Sequence, residues 1–129
     1  LADNKYVTEY SDIFDKISIS VIKESDILPA PAQGILCAEY ANDDMTEILE
    51  KIQDKECESL FAAERRYLSV LQADCHTSAG IFISSASEKY SIKAYFDGKY
   101  MEADNIEKTL ENLLMSVEEL AGKLKRENV

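Results

Sequence analysis

The chain has 129 residues, enough for one domain or for a domain with a fragment of another. It carries 14 Lys and Arg against 25 Asp and Glu, a net charge of -11, which argues against nucleic acid or an anionic membrane as partner. Its hydrophobic content of 46% is that of a globular chain, and no apolar run approaches the ~20 residues that span a bilayer.

Residues 1–16 are polar with scattered aromatics (Tyr6, Tyr10, Phe14) and read as a short helix or a frayed end. In 16–22, Ile17, Ile19 and Val21 alternate with Ser18 and Ser20, the pattern of a half-buried strand. The prolines of "ILPAPAQG" (27–34) impose an extended path. "ILCAEYA" (35–41) reads as a strand, and "ND" (42–43) caps a helix carrying Met45, Ile48, Leu49 and Ile52 at helical spacing. A second helix aligns Cys57, Leu60, Phe61, Leu68 and Leu71 on one face, with Glu64 on the same stripe. A carboxylate there needs a partner. It is either a structural hydrogen bond or ion pair, or an acid lining a site.

The period then changes to two. "GIFISS" (80–85) is a strand, and 89–96 sets Tyr90, Ile92, Ala94 and Phe96 on one face. "DG" (97–98) is a tight hairpin turn, and 99–103 returns antiparallel. Asp104 or Asn105 is expected to cap the last helix, whose stripe is Ile106, Leu110, Leu113, Leu114, Val117, Leu120, Ala121 and Leu124. The expected class is α/β in the α+β sense: a three-stranded antiparallel sheet packed by helices, preceded by a strand and helix extension from an adjoining domain.

The chemistry concentrates in "LQADCHTSAG" (71–80), where Cys75 adjoins the single histidine, His76. A metal site is poorly supported, because no CxxC or HxxxH pair accompanies them. A Cys–His dyad is poorly supported too, because neighbouring side chains diverge. A covalent attachment point needs only one thiolate on a loop, and an inert thiol remains the plain alternative. A thiolate just past a helix C-terminus is disfavoured by the helix dipole, so His76, Arg65 or Arg66 would have to compensate. The three cysteines, Cys37, Cys57 and Cys75, are odd in number and widely spaced, which fits a reducing cytoplasm. No signal peptide is visible, and the chain begins at Leu1, as a piece of something longer would.

Three stretches in order, "LPAPAQGILCAEY" (28–40), "AAERRYL" (62–68) and "LQADCHTSAG" (71–80), resemble the C-terminal part of the porphobilinogen deaminases, also called hydroxymethylbilane synthases. The resemblance implies a cytoplasmic transferase that joins porphobilinogen units, with loss of ammonia, into a linear tetrapyrrole. It implies that Cys75 holds a dipyrromethane cofactor by a thioether, with Asp74 and His76 as loop neighbours, no metal, and no catalytic residue in this fragment. On that reading 1–54 is the tail of the catalytic body and 55–129 the cofactor-anchoring domain. The partners are the missing N-terminal catalytic domains, and the fragment alone is inactive, with a free thiol. Cut from its sheet, 35–41 is expected to pair with 16–22, to swap into a second copy, or to be mobile.

The sequence departs from the family pattern at four places. Ala73 and Asp74 stand where two glycines are common, Ser78 where proline is usual, and Ala41 where an arginine often contacts the cofactor's acids. Three arginines in all also leave few groups able to hold carboxylates bidentately. The alternative reading is a small acidic binding or interaction module without a catalytic role.

Overall fold

The computed structural model describes residues 16–18, 20–41, 43–74, 76–86 and 88–126. The helix expected at 1–16 lies outside them, apart from Lys16, and so do Ile19 and Cys75. A 3-10 turn, Asp43–Met45, leads into α1 (Thr46–Ile52), followed by α2 (Lys55–Leu71). Three strands follow, β1 (Ala79–Ala86), β2 (Lys89–Phe96) and β3 (Lys99–Glu107), and the chain closes with α3 (Leu110–Arg126). The sheet is an antiparallel meander in the order β1-β2-β3.

Period-two alternation puts Ile81 and Ile83 of β1 and Tyr90, Ile92 and Ala94 of β2 on one buried face. Leu113, Val117, Leu120, Ala121 and Leu124 of α3 form the complementary stripe. α3 lies on β2 and β3, and α2 packs against α3 and touches β1. Burying a large apolar side chain contributes roughly 1.5–3 kcal/mol. An exposed ion pair contributes about 0–1 kcal/mol, so the apolar stripe decides the packing.

The polar links between the helices fix their direction. Glu56 meets Lys108 at 3.0 Å, Arg66 meets Glu118 at 2.6 Å, and Lys125 donates to the Val70 carbonyl at 3.2 Å. These pairs rise together along both chains, so α2 and α3 run parallel. Tyr67, fully buried on α2, donates its hydroxyl to the Tyr95 carbonyl at 2.8 Å and joins the helix to the middle strand. Its burial raises the phenol well above its ordinary value.

The β2–β3 turn is of the tight hairpin type: Asp97 and Gly98 have φ of 46° and 90°, and Phe96 pairs with Lys99. β3 runs further than its alternation predicts. The expected helix cap at Asp104 or Asn105 does not form; both residues lie in the strand. The register shifts between Tyr90 and Ile92, opposite Ile106 and Ala103, and Asn105 takes φ 61°. This bulge turns Ile106 into the core as a strand residue rather than a helix residue. Thr109 caps α3 instead, its Oγ1 accepting from the Asn112 N–H at 3.2 Å.

No strand forms at 16–22 or 35–41 among the described residues, and the two segments do not pair. The outer edge of β1 is met by the 28–34 segment, where the Ile81 N–H donates to the Pro29 carbonyl at 3.1 Å. Without a sheet to join, Val21 and Leu36 stay in solvent, 88% and 98% exposed. α1 forms as expected, yet its apolar face is also open, with Ile52 73% exposed.

Segment 28–34 is held more closely. The Gln33 N–H closes a turn on the Ala30 carbonyl at 3.0 Å, with Pro31 and Ala32 central and Ala32 at φ 65°. That is the pattern of a type II turn, in which a positive φ at the third position favours glycine. The Glu64 carboxylate of α2 accepts the Ala32 N–H, which identifies the partner its apolar stripe required. Gly80 of β1 admits the strap: a Cβ there would lie 3.0 Å from the Leu28 Cβ.

Two outcomes follow from this packing. Tyr67→Phe leaves the Tyr95 carbonyl without that donor and lowers stability by about 1–3 kcal/mol, read from the urea midpoint. Burial raises the Glu64 carboxyl above its ordinary 4.5, a shift partly opposed by the Ala32 N–H. The stability linked to this shift, that of burying the neutral rather than the ionised carboxyl, is therefore full below about 4.5 and is lost as pH rises through the raised value, while the Ala32 hydrogen bond persists. Glu64→Gln removes that loss, and unfolding curves across this window show a flatter pH dependence.

Candidate functional site: the loop between α2 and β1

Leu71 ends α2, and Gln72 takes the left-handed conformation at φ 58° and ψ 36°. The Gln72 N–H donates to the Ser69 carbonyl at 3.2 Å and the Ala73 N–H to the Leu68 carbonyl at 3.1 Å. This bond pair is a Schellman cap built without glycine. Ala73 then packs against the core.

Asp74 organises the rest of the loop. Its Oδ1 accepts from the His76 N–H at 2.9 Å and from the Thr77 hydroxyl at 2.8 Å. Its own N–H donates to Thr77 Oγ1 at 2.9 Å, and its carbonyl accepts the Thr77 N–H at 3.1 Å. The Thr77 hydroxyl and the His76 amide hold its carboxyl below the usual range. Asp74 is exposed, and its carboxylate, by accepting the His76 N–H, closes an Asx-type bond within the loop. At the far end, the Ser78 carbonyl accepts the Asp97 N–H at 2.9 Å, which ties the loop to the β2–β3 turn.

The expected attachment residue, Cys75, lies outside the described residues. Asp74 and His76 are both exposed. Arg66 is taken up by Glu118. The cation that reaches this end of α2 is Lys125, whose ammonium meets the Val70 carbonyl. Sequence reading missed that residue. Basic residues in the last turn of α3 were visible, but the helix end they meet depends on the parallel packing of α2 and α3. Among the described residues, no group of three or more His, Cys, Asp or Glu could hold a metal ion.

A hollow of about 310 Å³ opens beside the loop, lined by Asp26, Leu28, Ser78, Gly80 and Tyr95 among others. Its one charged side chain is a carboxylate. A separate groove of about 520 Å³ lies between 35–40, α1 and the start of α2, with Leu36, Cys37, Leu49, Ile52 and Phe61 on its walls. The loop is thus suited to presenting a side chain, while neither hollow is suited to gripping a polyanion.

No protein-family model matches the chain. It is similar to a porphobilinogen deaminase of Clostridium novyi (strain NT), 40% identical over 65 residues that make up 49% of this chain and 22% of that protein. The porphobilinogen deaminase of Caldicellulosiruptor saccharolyticus is 30% identical over 103 residues, 78% of this chain and 36% of that protein. That of Fusobacterium nucleatum is 29% identical over 103 residues, 74% and 35% respectively. The chain therefore spans between 22% and 36% of the length of these relatives.

Asp74→Ala is expected to speed hydrogen exchange at the His76 and Thr77 amides while leaving β2 unchanged. In the unaltered chain the loop's protection is full above the ordinary carboxyl value of 3.8 and is lost as pH falls through the depressed one. Amide exchange measured down through that range checks the sign.

Proposed function

Because the chain belongs with the porphobilinogen deaminases, we propose that it is the cofactor-anchoring portion of such an enzyme, a transferase of porphyrin biosynthesis. The observation that carries the reading is the similarity over 103 residues to relatives that bear this one name. The reaction of the whole enzyme would join porphobilinogen units, each losing ammonia, into a linear tetrapyrrole. Cys75 would anchor the dipyrromethane through its sulfur. When bound, that group supplies the terminal pyrrole onto which units are added.

The described residues fit the anchoring half of this task. The Schellman cap at Gln72 stops α2, and the Asp74 carboxylate ties down the amide of His76 and the hydroxyl of Thr77. Asp74 spends its charge on the loop's own donors, so its departure from the family's usual glycine is compatible with a cofactor that carries acids. The fit stops at those acids. Arg66 is paired with Glu118 and Lys125 with the Val70 carbonyl, which leaves exposed Arg65 on α2, and further cations for those acids would come from the preceding catalytic body.

The same division accounts for the rest of the chain. Every buried core residue falls between Ala63 and Leu124, which supports 55–129 as the anchoring domain and 1–54 as the tail of the catalytic body. The open groove with Leu36 and Ile52 would be filled by that body, since the 103 matched residues make up only 36% of the Caldicellulosiruptor saccharolyticus relative. Among the described residues no helix is long and apolar enough to cross a membrane, and the proposed setting is the cytoplasm.

The test is the intact mass of the full-length parent protein, with and without Cys75→Ser. Added mass equal to two porphobilinogens less two ammonias, absent from the variant, is the expected result. An unmodified parent, even when supplied with porphobilinogen, would overturn the anchoring role and favour the acidic binding module.

A further inference from the structure

We propose that Glu64 is a latch: by accepting the Ala32 N–H it clasps the 28–34 strap to α2, and so holds the N-terminal extension to the helix–sheet unit.

Three contacts join this strap to the unit, one on α2 and two on neighbouring residues of β1. The first is the Glu64–Ala32 bond on α2. The second is the Ile81 N–H donated to the Pro29 carbonyl at 3.1 Å, on the free edge of β1. The third is the close passage of Leu28 and Pro29 over Gly80, where a side chain would put Cβ within 3.0–3.3 Å of strap atoms. Leu28, Pro29, Pro31 and Ala32 are half-buried, whereas the described residues of 16–27 and 36–41 are exposed. The strap is thus the place where the extension is held.

The chemistry of the clasp is that of a device that can open. A leucine at position 64 would glue the strap by burial and lose that contact to water on release. A carboxylate does the reverse. It is poorly solvated while the strap is closed, where one backbone N–H offsets part of the loss, and it regains water when the strap lifts. Ala32 is held at a positive φ, a conformation that persists in a non-glycine residue when its surroundings over-determine it. Release of the N–H frees Ala32 to return to the ordinary region. Gly34, at φ 84° and with open space around it, stands at the strap's exit and supplies a pivot. Opening would carry 35–41 and α1 with it, because they follow directly. The latch rests on this geometry and not on the enzyme reading.

Hydrogen exchange on the intact chain tests it. Glu64→Ala is expected to speed exchange roughly tenfold or more at Ala32, the fold-change that loss of one hydrogen bond to a charged acceptor gives. It should also speed exchange at Ile81, whose acceptor is on the strap, and leave Ala94 in the central strand unchanged. Glu64→Gln, which keeps an acceptor oxygen, should stay within about threefold of the parent chain at all three amides. Gly80→Val, which lifts the strap from the other side with Glu64 intact, should also expose the Ala32 amide. Three results would each overturn the latch: Ile81 indifferent to Glu64→Ala, Ala94 accelerated as much as Ala32, or Ala32 still protected in Gly80→Val.

Discussion

Burial of one face of α3 against β2 and β3 is the interaction on which the rest of the molecule depends. Leu113, Val117 and Leu124 are fully shielded there, opposite Ile92 and Ala94 of the middle strand. Once α3 is seated, α2 has one place to lie, parallel to it, and the Glu56–Lys108, Arg66–Glu118 and Lys125–Val70 contacts set its register. α2 then ends beside the β2–β3 turn. The segment that leaves it must reach β1 within a few residues.

The loop's form follows from that short distance. Gln72 reverses the backbone, Asp74 gathers the amide of His76 and the hydroxyl of Thr77, and Ser78 hands the chain to the sheet edge. A loop with glycines at 73 and 74 would need its bound group, or its surroundings, to order it. Here the side chain of Asp74 does so by itself. Asp74, one of the departures from the family pattern, is therefore also the residue that organises this loop.

Legibility differed by element for identifiable reasons. α3, β1 and β2 carry stripes of the proper period, and the Asp97–Gly98 turn carries its own backbone signal; α2 is legible as a helix, but of its expected stripe only Leu71 is buried, beside Ala63 and Tyr67. The segments 16–22 and 35–41 carry strand-like stripes too, but a strand is completed by a neighbour. Here the edge of β1 is met by Pro29 instead. Asp104 and Asn105 look like a helix cap because both residue types favour caps. Asn105 equally favours the positive φ of a bulge, and only the buried position of Ile106 separates the two. Glu64 was visible as a misfit on an apolar face, while its partner lies 32 residues earlier and cannot be read from local pattern.

By itself the sequence determined the period of each main element, the acidic surface and the three motifs that place the chain with the porphobilinogen deaminases. These properties are local or additive, so they survive without coordinates. The tertiary structure decided what each marked residue touches: Asp74 its own loop, Glu64 the strap, Lys125 the end of α2, Ile106 the core. Those outcomes depend on which surfaces meet, and surfaces meet through the summed burial of residues far apart in the chain.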